Sequence, residues 1–165
     1  MRRLHTAALA LSAAIAFFVG GWAFFAPRSF FDSFPGVLGR WVATDGPFNE
    51  HLVRDVGAFY LALGVASVAG LVWRSPVVFR ILGLAWTMFG VLHLWYHVTH
   101  LDHLQADAAV GTVVSLSISL ALGVVLLIPS RADVADPTDA TGTTSRAGGV
   151  GSATSDRTTT KGETR

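Results

Sequence analysis

The sequence predicts an all-α membrane protein: a bundle of four transmembrane helices followed by a disordered C-terminal tail. Three observations carry this. Four apolar runs, residues 4–26, 56–73, 77–96 and 108–128, are each long enough to cross a bilayer, because about 18–20 apolar residues in a helix cover the ~30 Å hydrocarbon core. Apart from Arg80, one turn into the third run, they contain no Asp, Glu, Lys or Arg. The chain is also 52% hydrophobic and only 14% charged over 165 residues, too apolar for a soluble domain of that size. Two regions follow: a transmembrane domain over 1–129 and a tail over 130–165.

The first run follows Met1-Arg2-Arg3, and Gly21-Trp22-Ala23 has the small-residue spacing of a signal-peptidase site. Its apolar stretch outlasts the ~7–15 residues of a signal peptide's core, so it is expected to remain as the first helix. Pro47, after Asp45-Gly46, is expected to start the second helix about two turns before its apolar part. Ser75-Pro76 caps and starts the third, since proline lacks the N–H that a first turn cannot use. Asp107 sits where an acid interacts favourably with the dipole of the fourth, and Pro129 ends it. Beyond it, five basic and five acidic residues lie among Thr, Ala, Gly and Ser. Such a segment cannot bury enough apolar area to offset the entropy of ordering.

Arg2, Arg3, Arg74, Arg80 and Arg131 fall on one side of the predicted topology, against Arg28, Arg40 and Arg54 on the other. The positive-inside rule then places both termini in the cytoplasm of a multi-pass plasma-membrane protein. The loop over 27–55 and the His-rich loop after the third helix face outward. Phe30, Phe31, Phe34 and Trp41 in the first of these suit a membrane interface. A net charge of +1 gives no case for nucleic-acid binding, and the absence of cysteine excludes disulfides, thiolate metal sites and Cys nucleophiles.

Membrane helices associate through small residues, and three runs carry them every fourth position: Ala8, Ser12, Ala16, Gly20; Ala58, Ala62, Ala66, Gly70; and Gly111, Ser115, Ser119, Gly123. These rows are expected to hold the bundle together or to join it to a second copy or another membrane partner. Short connections make spans two and three, and three and four, antiparallel neighbours.

Polar residues gather at one end. His93, His97 and His100 fall within ~60° on one helix face at about 100° per residue. His51 and Asp55 are four apart at the start of the second helix, on the face of Ala58 and Ala62. Asp107 continues the Gly111 row back by one turn. Imidazoles at i, i+4 and i+7 can converge on one ion, and imidazole with carboxylate suits a divalent transition metal such as zinc. The candidate ligands are therefore His51, Asp55, His93, His97, His100 and Asp107. The plainer alternative is hydrogen bonding within the bundle, with His97 and His100 as interfacial residues. His93 lies about one turn inside the hydrocarbon, where an ionisable group normally has a partner. Glu50 and Arg54, also four apart, are expected to form a local structural ion pair. His103 and His5 read as solvated or isolated.

Other chemistry finds less support. Membrane di-iron oxygenases need more histidines than His51, His93, His97, His100 and His103 supply. A b-type haem needs two facing axial histidines. There is no phosphate-binding glycine loop, no Ser-His-Asp order in context and no inverted repeat.

The segment Gly46-Pro47-Phe48-Asn49-Glu50-His51-Leu52-Val53-Arg54-Asp55-Val56-Gly57, paired with the stretch His93-Leu94-Trp95-Tyr96-His97-Val98-Thr99-His100-Leu101-Asp102-His103, resembles small four-span actinobacterial membrane proteins of unassigned function. More distantly, by size and span count alone, the chain resembles DoxX-type four-helix membrane proteins, some of which accompany quinone or thiol redox systems. These likenesses imply a membrane location and a four-helix bundle, and carry over no catalytic residue. Two functions are left: a membrane protein binding a metal ion or small ligand at the His/Asp cluster, or a non-catalytic accessory subunit of a membrane complex. An enzyme is the least supported.

Overall fold

Glycines decide how close these helices come. The computed structural model describes residues 2–102 and 104–129. The tail over 130–165 and His103 lie outside them. The elements are α1 (Arg2–Phe25), α2 (Pro27–Ser33), a two-stranded ribbon of β1 (Pro35–Gly36) and β2 (Gly39–Arg40), then α3 (Glu50–Trp73), α4 (Pro76–Val98) and α5 (Ala106–Leu127). α1, α3, α4 and α5 are long and apolar enough to cross a membrane, the make-up of a multi-pass membrane protein.

The ends follow from local chemistry. α3 begins at Glu50 because the Asn49 side chain accepts a hydrogen bond from Leu52 N at 3.1 Å, so Pro47 is a loop residue and not the helix start. Arg74 ends α3 in the left-handed region at φ 51°, its N–H bonded to Gly70 O. Pro76 occupies the first turn of α4, and α5 stops just before Pro129.

α1 and α3 run antiparallel in close contact. A Cβ on Gly20 would lie 2.9 Å from Gly57 O, and one on Gly57 would lie 2.5 Å from Phe24 N. Backbone meets backbone there, and only glycine fits. α4 and α5 meet in the same way: Cβ atoms on Gly83 and Gly123 would lie 2.7 Å from Leu126 Cβ and 2.8 Å from Thr87 N. α1 also touches α5.

α3 and α4 are antiparallel, but the tight turn joining them does not bring their backbones together. Bulky side chains hold that seam open. Tyr60, Leu82 and Trp86 are buried in it, and the Trp86 indole N–H donates to Ser67 Oγ at 3.1 Å. These side chains belong to one buried cluster with Ala8, Leu9, Ala16 and Leu126.

The small-residue rows are only partly the seams. Ala8, Ser12, Ala16 and Gly20 are all buried. On α3 the inward row is Gly57, Gly64, Ser67 and Gly70, while Ala58 and Ala62 face outward. Tyr60 and Ser67, which need the interior for their size and their hydrogen bond, fix that rotation. On α5, Gly123 is buried, Ser119 half-buried and Ser115 exposed, and Gly111 packs under the Trp41 ring. His5, expected to be isolated, is buried beside Phe79 with ring centroids 6.0 Å apart.

Candidate functional site

We call the end where α1 and α4 finish and α3 and α5 begin the His end. Antiparallel packing brings the start of α3, the end of α4 and the start of α5 to it, together with the loop after β2.

Along the α3–α4 seam toward this end runs a column of rings. Tyr60 meets Phe89 edge-on at 5.2 Å, and Phe89 stacks on His93 at 5.0 Å with an interplanar angle of 18°. His93 meets His97 edge to face at 4.8 Å, and His97 meets Tyr96 at 5.4 Å. Tyr96 then stacks on His100 at 4.4 Å. Four-residue spacing on α4 produces the Phe89–His93–His97 part, because i and i+4 lie above one another on a helix. Tyr60 joins because its backbone stands opposite on α3.

The burial of the two imidazoles separates them from the rest of the predicted cluster. His93 and His97 are half-buried. His100 is exposed, since α4 ends at Val98, and its Nδ1 sits 2.8 Å from Tyr96 O and 3.0 Å from Thr99 Oγ1. Both contacts are to the end of its own helix. The Tyr96 hydroxyl lies 3.4 Å from Asp45 Oδ1, a long hydrogen bond that ties the loop after β2 to α4.

His51 and Asp55 stand apart from the imidazole pair. Their side chains are 88% and 61% exposed, and His51 Nε2 lies 3.3 Å from Asp55 Oδ2. They share the outward face of Ala58 and Ala62, so the rotation of α3 that buries Gly57 turns them out of the bundle. Asp107 is exposed, and its Oδ1 accepts from Ala108 N at 2.9 Å. It serves its own helix start. Among the described residues no three His, Asp or Glu side chains come close enough to hold a metal ion. The structure therefore brings His93 and His97 together, and does not bring His51, Asp55, His100 and Asp107 to them.

Glu50 and Arg54 pair at 2.8 Å. Arg54 also donates to Phe24 O at the end of α1, satisfying a carbonyl that a helix terminus leaves open. Residues that the spacing argument left out of the site are Tyr60, Phe89, Tyr96 and Asp45. The i, i+4 relation of Phe89 to His93 was available as a signal. The approach of Asp45 to Tyr96, 51 positions away, had no local signature.

No protein-family model, curated protein or solved structure matches the chain.

Proposed function

We propose that this protein binds a small ligand at the His end of the α3–α4 seam, with His93 and His97 as its polar anchor. One observation carries the reading: two half-buried imidazoles meet at 4.8 Å at the top of an otherwise aromatic column. Ligand sites in membrane bundles combine an apolar wall with a few convergent polar groups, and intramembrane ionisable residues are there for a partner. Phe89 and Tyr60 supply the wall. A divalent transition metal such as zinc is one such ligand, its coordination completed by groups beyond this pair. The protein sits in the plasma membrane with both termini cytoplasmic, so the site opens outward.

Protein purified in mild detergent tests this by metal analysis and native mass spectrometry. The bound species should be lost in His93→Ala and His97→Ala and kept in His51→Ala. Equal occupancy in all three, or none in the parent protein, would defeat the reading.

One feature favours the accessory-subunit alternative. Ala58 and Ala62 form a small-residue row on the outside of α3, where a second membrane helix can approach closely. Under that reading Ala62→Leu disrupts a co-purifying complex, while the histidine variants leave it intact.

A further inference from the structure

The segment after α1 does not stay at the end of the bundle. It doubles back along the flank of α1. The Phe34 ring packs against Trp22 at 5.9 Å and Phe18 at 6.4 Å. Phe18 lies seven residues before the end of α1, about 10 Å down the helix at 1.5 Å per residue. Phe30 is buried with Ala23 and Val53, and Trp41 seats on α5 where a Cβ at Gly111 would be 2.6 Å from its ring. The ribbon that follows Phe34 thus starts beside the membrane-spanning part of α1.

Its tip is apolar and uncovered. Val37 is 102% exposed and Leu38 62%. Gly36 and Gly39 take the positive φ values, 97° and 119°, so both tip residues keep ordinary backbone and carry full side chains outward. Arg40 is exposed, its Nε donating to Asp32 O at 2.9 Å. Among the described residues Arg40 forms no ion pair, whereas Arg28 is taken up by Asp32 at 2.8 Å and by the Phe48 ring.

We propose that Pro35–Arg40 is a finger seated in the lipid leaflet at the His end, with Val37 and Leu38 among the acyl chains and the Arg40 guanidinium on a phospholipid phosphate. Phe34, the residue before the finger, packs against exposed Phe18, so the finger begins beside the apolar surface of α1. Pairing of Pro35–Gly36 with Gly39–Arg40, and the bond from Trp41 Nε1 to Leu38 O at 3.2 Å, satisfy part of the ribbon's backbone, which suits the boundary between headgroups and acyl chains. A guanidinium at the base of an apolar tip matches the order of a leaflet, phosphate above and chains below.

The cysteine-free sequence makes the test direct. A nitroxide on Val37→Cys, with Leu38→Cys as a second site and Thr44→Cys as the water-exposed reference, is measured in phosphatidylcholine vesicles by power saturation with oxygen and with a nickel chelate. The finger predicts oxygen dominating at 37 and 38, and nickel dominating at 44. Nickel accessibility at 37 and 38 equal to that at 44 would overturn the proposal and leave the tip as a surface for a soluble partner. Added Arg40→Gln should raise nickel accessibility at 37 several-fold, and Arg40→Lys should not. No response to Arg40→Gln would overturn the phosphate contact.

Discussion

α3 makes two antiparallel crossings from opposite materials. Against α1 it offers Gly57, where the backbones touch, and Gly64, which lies against the Ala16 and Phe17 side chains. Against α4 it offers Tyr60 and Ser67, and side chains fill the gap to Trp86 and Phe89. The first contact fixes geometry and leaves no room for chemistry. The second admits Ser67 and the Trp86 indole N–H because they bond each other at 3.1 Å. The imidazole pair continues the second contact, and the α4–α5 crossing repeats the first.

The largest effect should come from emptying the wide seam. Trp86 is 1% exposed, and Trp86→Ala should cost about 3–5 kcal/mol through lost burial and the cavity left behind, read by unfolding in mixed micelles with rising SDS. A change below 1 kcal/mol would mean that this seam does not carry packing energy. Next comes overfilling the narrow seam. Gly57→Leu drives a side chain into the α1 backbone and should cost about 1–3 kcal/mol or more, while Ala58→Leu, one position on and exposed, should stay within about 0.5 kcal/mol. Equal effects at 57 and 58 would erase the distinction between the seams. Ser67→Ala removes one buried hydrogen bond and should cost about 0.6 kcal/mol, as interhelical hydrogen bonds in membranes do. The smallest effect belongs to His51→Ala: the exposed His51–Asp55 pair should contribute under about 0.5 kcal/mol.

The sequence made the four helices legible because a bilayer demands length and apolarity, and both are local properties. It made the polar end legible because alternating crossings determine which helix ends share a side. It did not reveal the rotation of α3. Ala58-Ala62-Ala66-Gly70 and Gly57-Gly64-Ser67 are both small-residue rows, and only the demand of Tyr60 and Ser67 for the interior chooses between them. That one rotation removed His51 and Asp55 from the site. His100 was lost for another reason: α4 ends at Val98, so helical spacing no longer governs it. The doubling back of Phe30 to Trp41 along α1 was also out of reach, since aromatic content marks an interface without giving a depth.

The separation of the histidines is the centre of this account, and their reactivity measures it most directly. Diethylpyrocarbonate modification in mild detergent, followed residue by residue by mass spectrometry, should be fastest at His51 and His100, slower at half-buried His93 and His97, and slowest at His5, which is 6% exposed. Modification of His93 and His97 as fast as that of His51 would show that no imidazole pair is held within the α3–α4 seam.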